Sequence, residues 1–319
     1  MKKLFVLSFA SILLLTGCGA TETLSCSYRN SSANGSSKVT IKNGTMIAAG
    51  ELTSGAYGTV RTEDEAVVNL ETVKLYSYRG YGLNVKANTG TKVNIKDSEI
   101  YSEYSGGVEA AGGEIELTNV KIEQRGVYSG AAWCSVAIGV NGGGKVTVNS
   151  GDYNAAAIAT DSNAAQATWV AYVMSSGGTL DIKGGTFTGV VAETASAANA
   201  CGLICADRAA VVNIYDGIFN SNGAILDMRN NVGTQPNPVA TLYGGNFSAD
   251  PRVSGLYSSN LIKVAEGKEV VEGADGRWTR THGADRRSGR SVPPRAWAAA
   301  KHRPGASNRR AAPPAGLPR

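Results

Sequence analysis

At 319 residues, with 40 glycines and only 7% aromatics, the chain has room for one large domain or two ordinary ones, and no stretch carries a long helical pattern. The formal charge of +5 comes from the C-terminal end, where residues 280–319 hold nine Arg and one Lys against the single Asp285. Without that end and the two N-terminal lysines, 19 basic residues face 25 acidic ones, a mildly acidic body that excludes a nucleic-acid-binding footprint.

The chain begins MKKLFVLSFASILLLTGCGA. Lys2 and Lys3 form a basic start, and Leu4 to Leu15 form an apolar run too short to span a bilayer. Leu15-Thr16-Gly17-Cys18 resembles a bacterial lipobox. That resemblance implies a signal peptide over 1–17, acylation of Cys18, and a polar tether over 18–37. Each buried methylene of an acyl chain holds a protein at a bilayer by about 0.8 kcal/mol. The membrane is therefore the first expected partner, and a membrane-anchored, extracytoplasmic or cell-surface location follows.

Residues 38–279 repeat one pattern: an apolar residue, a second two positions on, and a third five further. It fits Val39/Ile41/Met46, Val68/Leu70/Leu75, Val93/Ile95/Ile100 and Ile115/Leu117/Ile122. It continues in Val146/Val148/Tyr153, Leu180/Ile182/Phe187, Val212/Ile214/Phe219 and Ala240/Leu242/Phe247. The copies are spaced by 29, 25, 22, 31, 34, 32 and 28 residues. The alternation predicts a strand with one buried face, and the Gly, Ser, Asp or Asn after most copies predicts a bend into a second strand. A further apolar segment precedes the next copy, as in Gly82-Leu83-Asn84-Val85 or Trp169-Val170-Ala171-Tyr172, followed by a tight turn such as Gly112-Gly113 or Gly177-Gly178. No unit can bury its own apolar face, so the units must stack. The expected fold is all-β: a single-stranded right-handed parallel β-helix of about eight coils, roughly 35 Å long at about 4.8 Å per coil. A β-sandwich would not repeat one pattern in the same phase. Residues 280–319, which hold six of the nine prolines and both histidines, are expected to form a disordered Arg/Pro/Ala-rich tail, and their switch from Lys to Arg usage suggests an out-of-frame origin.

Over about residues 35–279 the sequence resembles the right-handed parallel β-helix proteins of the pectin-lyase-like class. The segment 244–278, GGNFSADPRVSGLY…VAEGKEVVEGADGRW, resembles the closing rung of bacterial surface proteins built from GGTF-type coils. The resemblance implies an architecture shared by lyases, hydrolases and non-catalytic adhesins.

For chemistry, the residue between the first two apolar positions points outward, giving a column of Thr40, Asn69, Asn94, Glu116, Thr147, Asp181, Asn213 and Thr241. Its two acids sit two coils apart, about 9.6 Å, at the margin of what glycoside hydrolysis uses. Polygalacturonases of this fold use aspartates and a His in motifs resembling N-T-D, D-D and G-H-G; none occurs, and residues 1–279 contain no His. Pectate lyases hold Ca²⁺ with several acids. The densest acidic run, Glu63-Asp64-Glu65, reads as a solvated turn, so Ca²⁺ is not indicated and no metal or cofactor is expected. Asp207-Arg208 and Asp227-x-Arg229 recur near the corresponding turn of neighbouring coils and read as structural ion pairs at least as well as a lyase site. Of the remaining cysteines, Cys26, Cys134, Cys201 and Cys205, a Cys134–Cys201 pair is expected to be too far apart to bridge, and Cys205 is expected to be a buried thiol.

The stronger surface signal is aromatic. LYSYRGYG (75–82) aligns on IYSEYSGG (100–107), so Tyr76 and Tyr101 point out one above the other. Tyr78 then sits over Glu103, and Glu103 over Arg125. Tyr81 and Tyr104 are expected near the same edge, with Arg79 beside them. Exposed tyrosines among hydrogen-bonding charges suit sugar rings; packing that merely stabilises the ladder is the competing account. A second pair, Tyr215 and Tyr243, ranks below the first. The reading is thus a non-catalytic, adhesin-like cell-surface lipoprotein recognising polysaccharide or host glycoprotein through the side of the β-helix. A polysaccharide lyase or glycoside hydrolase is the main alternative, and a structural envelope protein the second.

Overall fold

In an extended chain successive side chains leave opposite faces, so an apolar residue at every second position makes a strand with one dry side. The computed structural model follows this rule in each repeat. It describes residues 23–26, 31–33, 38–48, 58–62, 64–78, 80–86, 90–103, 106–125, 136–155, 169–174, 176–189, 202–229, 236–255 and 259–282. Among these the structure is all-β, with one short 3-10 turn at Ser259–Leu261 and no helix long and apolar enough to cross a membrane.

The first segments of successive repeats are Lys38–Lys42, Val67–Glu71, the start of Lys92–Ser102, the start of Glu114–Gln124, Gly144–Val148, Gly178–Ile182, Ala210–Ile214 and Val239–Leu242. Each pairs in parallel with the one before it. The register is the one read from sequence: Val39, Val68, Val93, Ile115, Val146, Leu180, Val212 and Ala240 stand directly over one another. The second segments, including Lys74–Ser77, Thr186–Gly189 and Ile218–Ser221, pair in the same way within the same sheet. A third set, including Tyr81–Val85, Val108–Ala111, Ile138–Asn141, Ala171–Val173, Gly202–Ala206 and Ala224–Met228, forms a separate parallel sheet. Each strand of these three sets thus pairs with its equivalent one repeat away, an arrangement compatible with a β-helix-like solenoid. One contiguous apolar core lies inside, from Val60 to Val270. Each fully buried Leu, Ile, Val or Phe in it contributes about 1.5–3 kcal/mol.

The corner between first and second segments needs a residue at positive φ, and the chain meets that need in two ways. Asn43, Thr72, Asp97 and Asn119 take φ of 55°, 56°, 49° and 53° two residues after the second apolar position. Later repeats use glycine one residue further on, Gly151 (131°), Gly185 (104°), Gly217 (132°) and Gly245 (119°). At Gly151 a Cβ would lie 2.1 Å from the Val120 carbonyl oxygen, so no other residue fits. The glycine corners coincide with the aromatic part of the core. Tyr153, Phe187, Phe219 and Phe247 stack inside with centroid separations of 4.9, 5.1 and 4.9 Å.

Parallel stacking ends at an antiparallel hairpin. Lys268–Glu272 pairs with Trp278–His282, which in turn pairs antiparallel with Asn246–Phe247 and sets Trp278 opposite Phe247. The Arg252 guanidinium lies 5.1 Å over the Trp278 ring. A hairpin turned against the last strand in this way occupies part of the edge that would otherwise invite another chain.

Candidate functional site

The tyrosine ladder forms as the register requires. Leu75 and Ile100 pair across adjacent strands and point inward, so Tyr76 and Tyr101 pair outside, with rings 4.9 Å apart and 12° from parallel. The free face of Tyr101 is then met by cations from the next strand: Arg125 Cζ lies 4.9 Å and Lys121 Nζ 5.5 Å from the ring centroid. The Tyr101 hydroxyl donates to Glu99 Oε2, and Lys74 Nζ pairs with Glu99 Oε1 at 3.1 Å. Hydrogen bonding to Glu99, with partial burial, pushes the Tyr101 hydroxyl up to about 12. The same bond holds Glu99 below the usual carboxylate range. Glu103 meets Arg125 at 3.3 Å, and Arg125 also contacts Glu123 at 3.0 Å. Tyr101 is thus covered on both faces, by Tyr76 and by the two cations, inside a strip of paired charges. Tyr78, beside Glu103 and 38% exposed, presents more of its ring.

Tyr81 does not belong to this strip. It is 1% exposed, because it opens the strand Tyr81–Val85 and alternates inward with Leu83 and Val85. The expected edge position is corrected by that alternation. Arg79, Tyr104 and Cys18 lie outside the described residues, as do Cys134 and Cys201.

The outward column of the first segments is also as expected, from Thr40 through Asn69, Asn94, Glu116, Thr147, Asp181 and Asn213 to Thr241. Its two acids are engaged by neighbours. Asp181 is only 8% exposed, paired with Lys145 at 2.8 Å and accepting from Asn213 Nδ2 at 2.8 Å. Glu116 accepts from Asn149 Nδ2 at 2.7 Å. Among the described residues, no group of three or more His, Cys, Asp or Glu could hold a metal ion.

The cluster whose Asp207-Arg208 and Asp227-x-Arg229 read as ion pairs at least as well as a lyase site lies outside the second sheet. Tyr172, Cys205 and Asp227 are in register there, and both Cys205 and Asp227 are fully buried. They adjoin a small apolar group of Val136, Trp169 and Cys205, separate from the main core. Asp227 Oδ2 accepts from Arg229 Nε at 3.0 Å, and the guanidinium stacks 4.5 Å over Trp169. Tyr172 donates its hydroxyl to Asp207 Oδ2 at 3.2 Å, while Arg208 stands 3.7 Å from the other Asp207 oxygen. Among the described residues, Oδ1 of Asp227 and Nη2 of Arg229 are buried with no hydrogen-bond partner. Burial raises the Asp227 carboxyl above its ordinary range against the pull of Arg229.

Further along the same outer column Asn84 donates to Glu109 Oε2 at 2.6 Å, and both residues are buried. Burial pushes Glu109 up to about 7, outweighing the hydrogen bonds from Asn141 and Asn84 that favour its anion. The sign follows by linkage. Between an unfolded value near 4.5 and a folded value of about 7 the unfolded chain ionises first, so stability is lost as pH rises. The loss is about 3 kcal/mol in all. Glu109→Gln is expected to flatten the dependence of stability on pH across that window. Chemical denaturation as a function of pH checks it, and an unchanged slope would reject Glu109 as its source.

Comparison with protein-family models, curated proteins and solved structures finds no match to the chain.

Proposed function

We propose that the chain is a non-catalytic, adhesin-like surface lipoprotein. In this reading residues 38–279 form a right-handed parallel β-helix of about eight coils, tethered through 18–37 to acylated Cys18, and the coil side recognises glycan. The observation that carries it is the strip where Tyr76, Tyr78 and Tyr101 lie among the paired charges of Lys74, Glu99, Glu103, Lys121, Glu123 and Arg125. Sugars offer apolar C–H faces to aromatic rings and hydroxyls to charged groups, and such a strip supplies both. The engaged state of Asp181 and Glu116 weighs against the lyase or hydrolase reading, which needs acids free to act on substrate.

The test is a glycan-array scan of the full-length chain, repeated with Tyr78→Ala and with Tyr76→Ala/Tyr101→Ala. The double variant is expected to lose at least tenfold in affinity, about 1.4 kcal/mol. It also gives up a stacked pair of about 0.5–1.5 kcal/mol and so loses some stability. Tyr78→Ala, at a ring 38% exposed, should also reduce binding, and denaturation midpoints measured on both variants separate loss of binding from loss of stability. Retained binding in both variants would remove the strip from the reading. Oligosaccharide release that disappears in Asp181→Ala would replace it with the enzyme.

A further inference from the structure

Few large apolar side chains are exposed among the described residues, and three of them belong to one repeat. Val211, Tyr215 and Ile218, 37%, 42% and 47% exposed, lie in and between Ala210–Ile214 and Ile218–Ser221 of the seventh repeat. Each continues an outward column that earlier repeats fill with charge. Val211 stands over Thr179, and behind it Lys145, Glu114 and Lys92. Ile218 stands over Thr186, and behind it Asp152 and Lys121. Tyr215 follows Lys183 in its column, their amides donating to the Ile182 and Val148 carbonyls in turn. All three columns turn apolar at the same level. Scattered apolar surface residues need no explanation, but a joint change across neighbouring columns makes a patch.

Tyr243 carries the patch into the eighth repeat, its ring stacked on Tyr215 with centroids 4.7 Å apart and planes within 10°. Asn213, between Val211 and Tyr215 along the strand, donates its amide to Asp181 at 2.8 Å, so that donor is satisfied within the chain. Two charges flank the patch. Lys183 precedes Tyr215 in the stack and Asp216 follows it in the chain, and both are exposed. Neither enters an ion pair among the described residues, whereas Lys145 pairs with Asp181 and Lys121 with Glu123.

A two-fold interface presents the same surface twice, so that surface must complement itself. One cation and one anion beside a shared apolar centre do so: turned about an axis between them, each meets its opposite. A bilayer would favour a rim rich in Lys and Arg, which one Lys against one Asp does not provide. A sugar needs hydrogen-bonding groups around it, which the side chains of Val211 and Ile218 lack. We propose that this face of the seventh and eighth repeats pairs with the same face of a second copy of the chain, with Tyr215 and Ile218 at the centre and Lys183 meeting the partner's Asp216. The pairing does not rest on the glycan-binding reading. A standard interface buries about 800 Å² a side, more than these side chains expose, so the association is expected to be reversible and concentration-dependent.

Sedimentation velocity of the full-length chain over a concentration series tests this. The parent is expected to show a monomer–dimer equilibrium, and Tyr215→Arg and Ile218→Asp should each weaken it by about tenfold or more. Lys183→Asp and Asp216→Lys should each weaken it as well. An equimolar mixture of those two variants should pair more tightly than either alone, because both cross-contacts then join opposite charges. Asp216 also accepts from the Gly217 amide at 2.8 Å, so denaturation midpoints are measured on every variant to separate lost pairing from lost fold. A parent that stays monomeric at every concentration would overturn the proposal, as would Tyr215→Arg and Ile218→Asp variants that associate like the parent. A mixture no tighter than its components would overturn the two-fold arrangement. A monomeric parent that co-sediments with phosphatidylcholine vesicles or with cellulose, and ceases to in Tyr215→Arg, would give the patch to lipid or glycan and equally overturn it.

Discussion

Arg229→Met is expected to lower stability by about 3–5 kcal/mol, the usual result of stranding one member of a buried ion pair. The Asp227 side chain is 0% exposed, and one of its oxygens has no hydrogen-bond partner among the described residues. Removing the guanidinium takes away its bond at 3.0 Å and leaves Trp169 without the cation on its face. The carboxyl, already raised by burial, would rise further. The deficit should therefore shrink as pH is lowered and the stranded carboxyl takes up a proton. Asp227→Asn in the same chain should recover part of the loss, since a neutral amide is cheaper to bury than an unpaired charge. Chemical denaturation of the two single variants and the double variant gives the coupling. A loss under about 1 kcal/mol at neutral pH would show that the pair is not ionic in the folded protein.

The second large effect concerns the core. Phe219→Ala is expected to cost about 3–5 kcal/mol, from lost burial and the cavity left behind. Phe219 is fully buried and stacks on both Phe187 and Phe247, so no single neighbour can close the space. In a stack of repeats each unit is stabilised mainly by its neighbours, and a weakened interface there should separate the denaturation of the two sides. A broader, lower-midpoint transition is the expected signature. Tyr215→Ala, just past the outer side of the adjoining strand, is the internal comparison and should cost no more than its stack on Tyr243, about 0.5–1.5 kcal/mol. Similar losses for the two would mean that the inward and outward columns are misassigned.

Much of the site was legible because the repeat phases the chain. Tyr76 and Tyr101 each follow an inward residue, and a shared phase places them side by side. Glu103 and Arg125 met for the same reason. Tyr81 was misplaced because its phase is set by the next strand, across a turn at Gly80; the alternation Tyr81-x-Leu83-x-Val85 was the signal that could have located it. Asp181, Glu109 and Asp227 show the other limit. Alternation puts all three on the outer side of their strands, yet all three are buried. Cys205 is the buried thiol expected of it.

The sequence by itself determined which residues face inward, where the corners fall and which residues pair between neighbouring strands. Alternation and the positive-φ requirement act over a few residues, and each repeat meets the same demands. The tertiary structure decided what the outer residues do. Exposure depends on everything packed beside a residue, so Lys145 and Asn213 covered Asp181, and Arg229 and Trp169 enclosed Asp227, while Tyr215 stayed open. Those contacts come from parts of the chain tens of residues apart, and no local pattern encodes them.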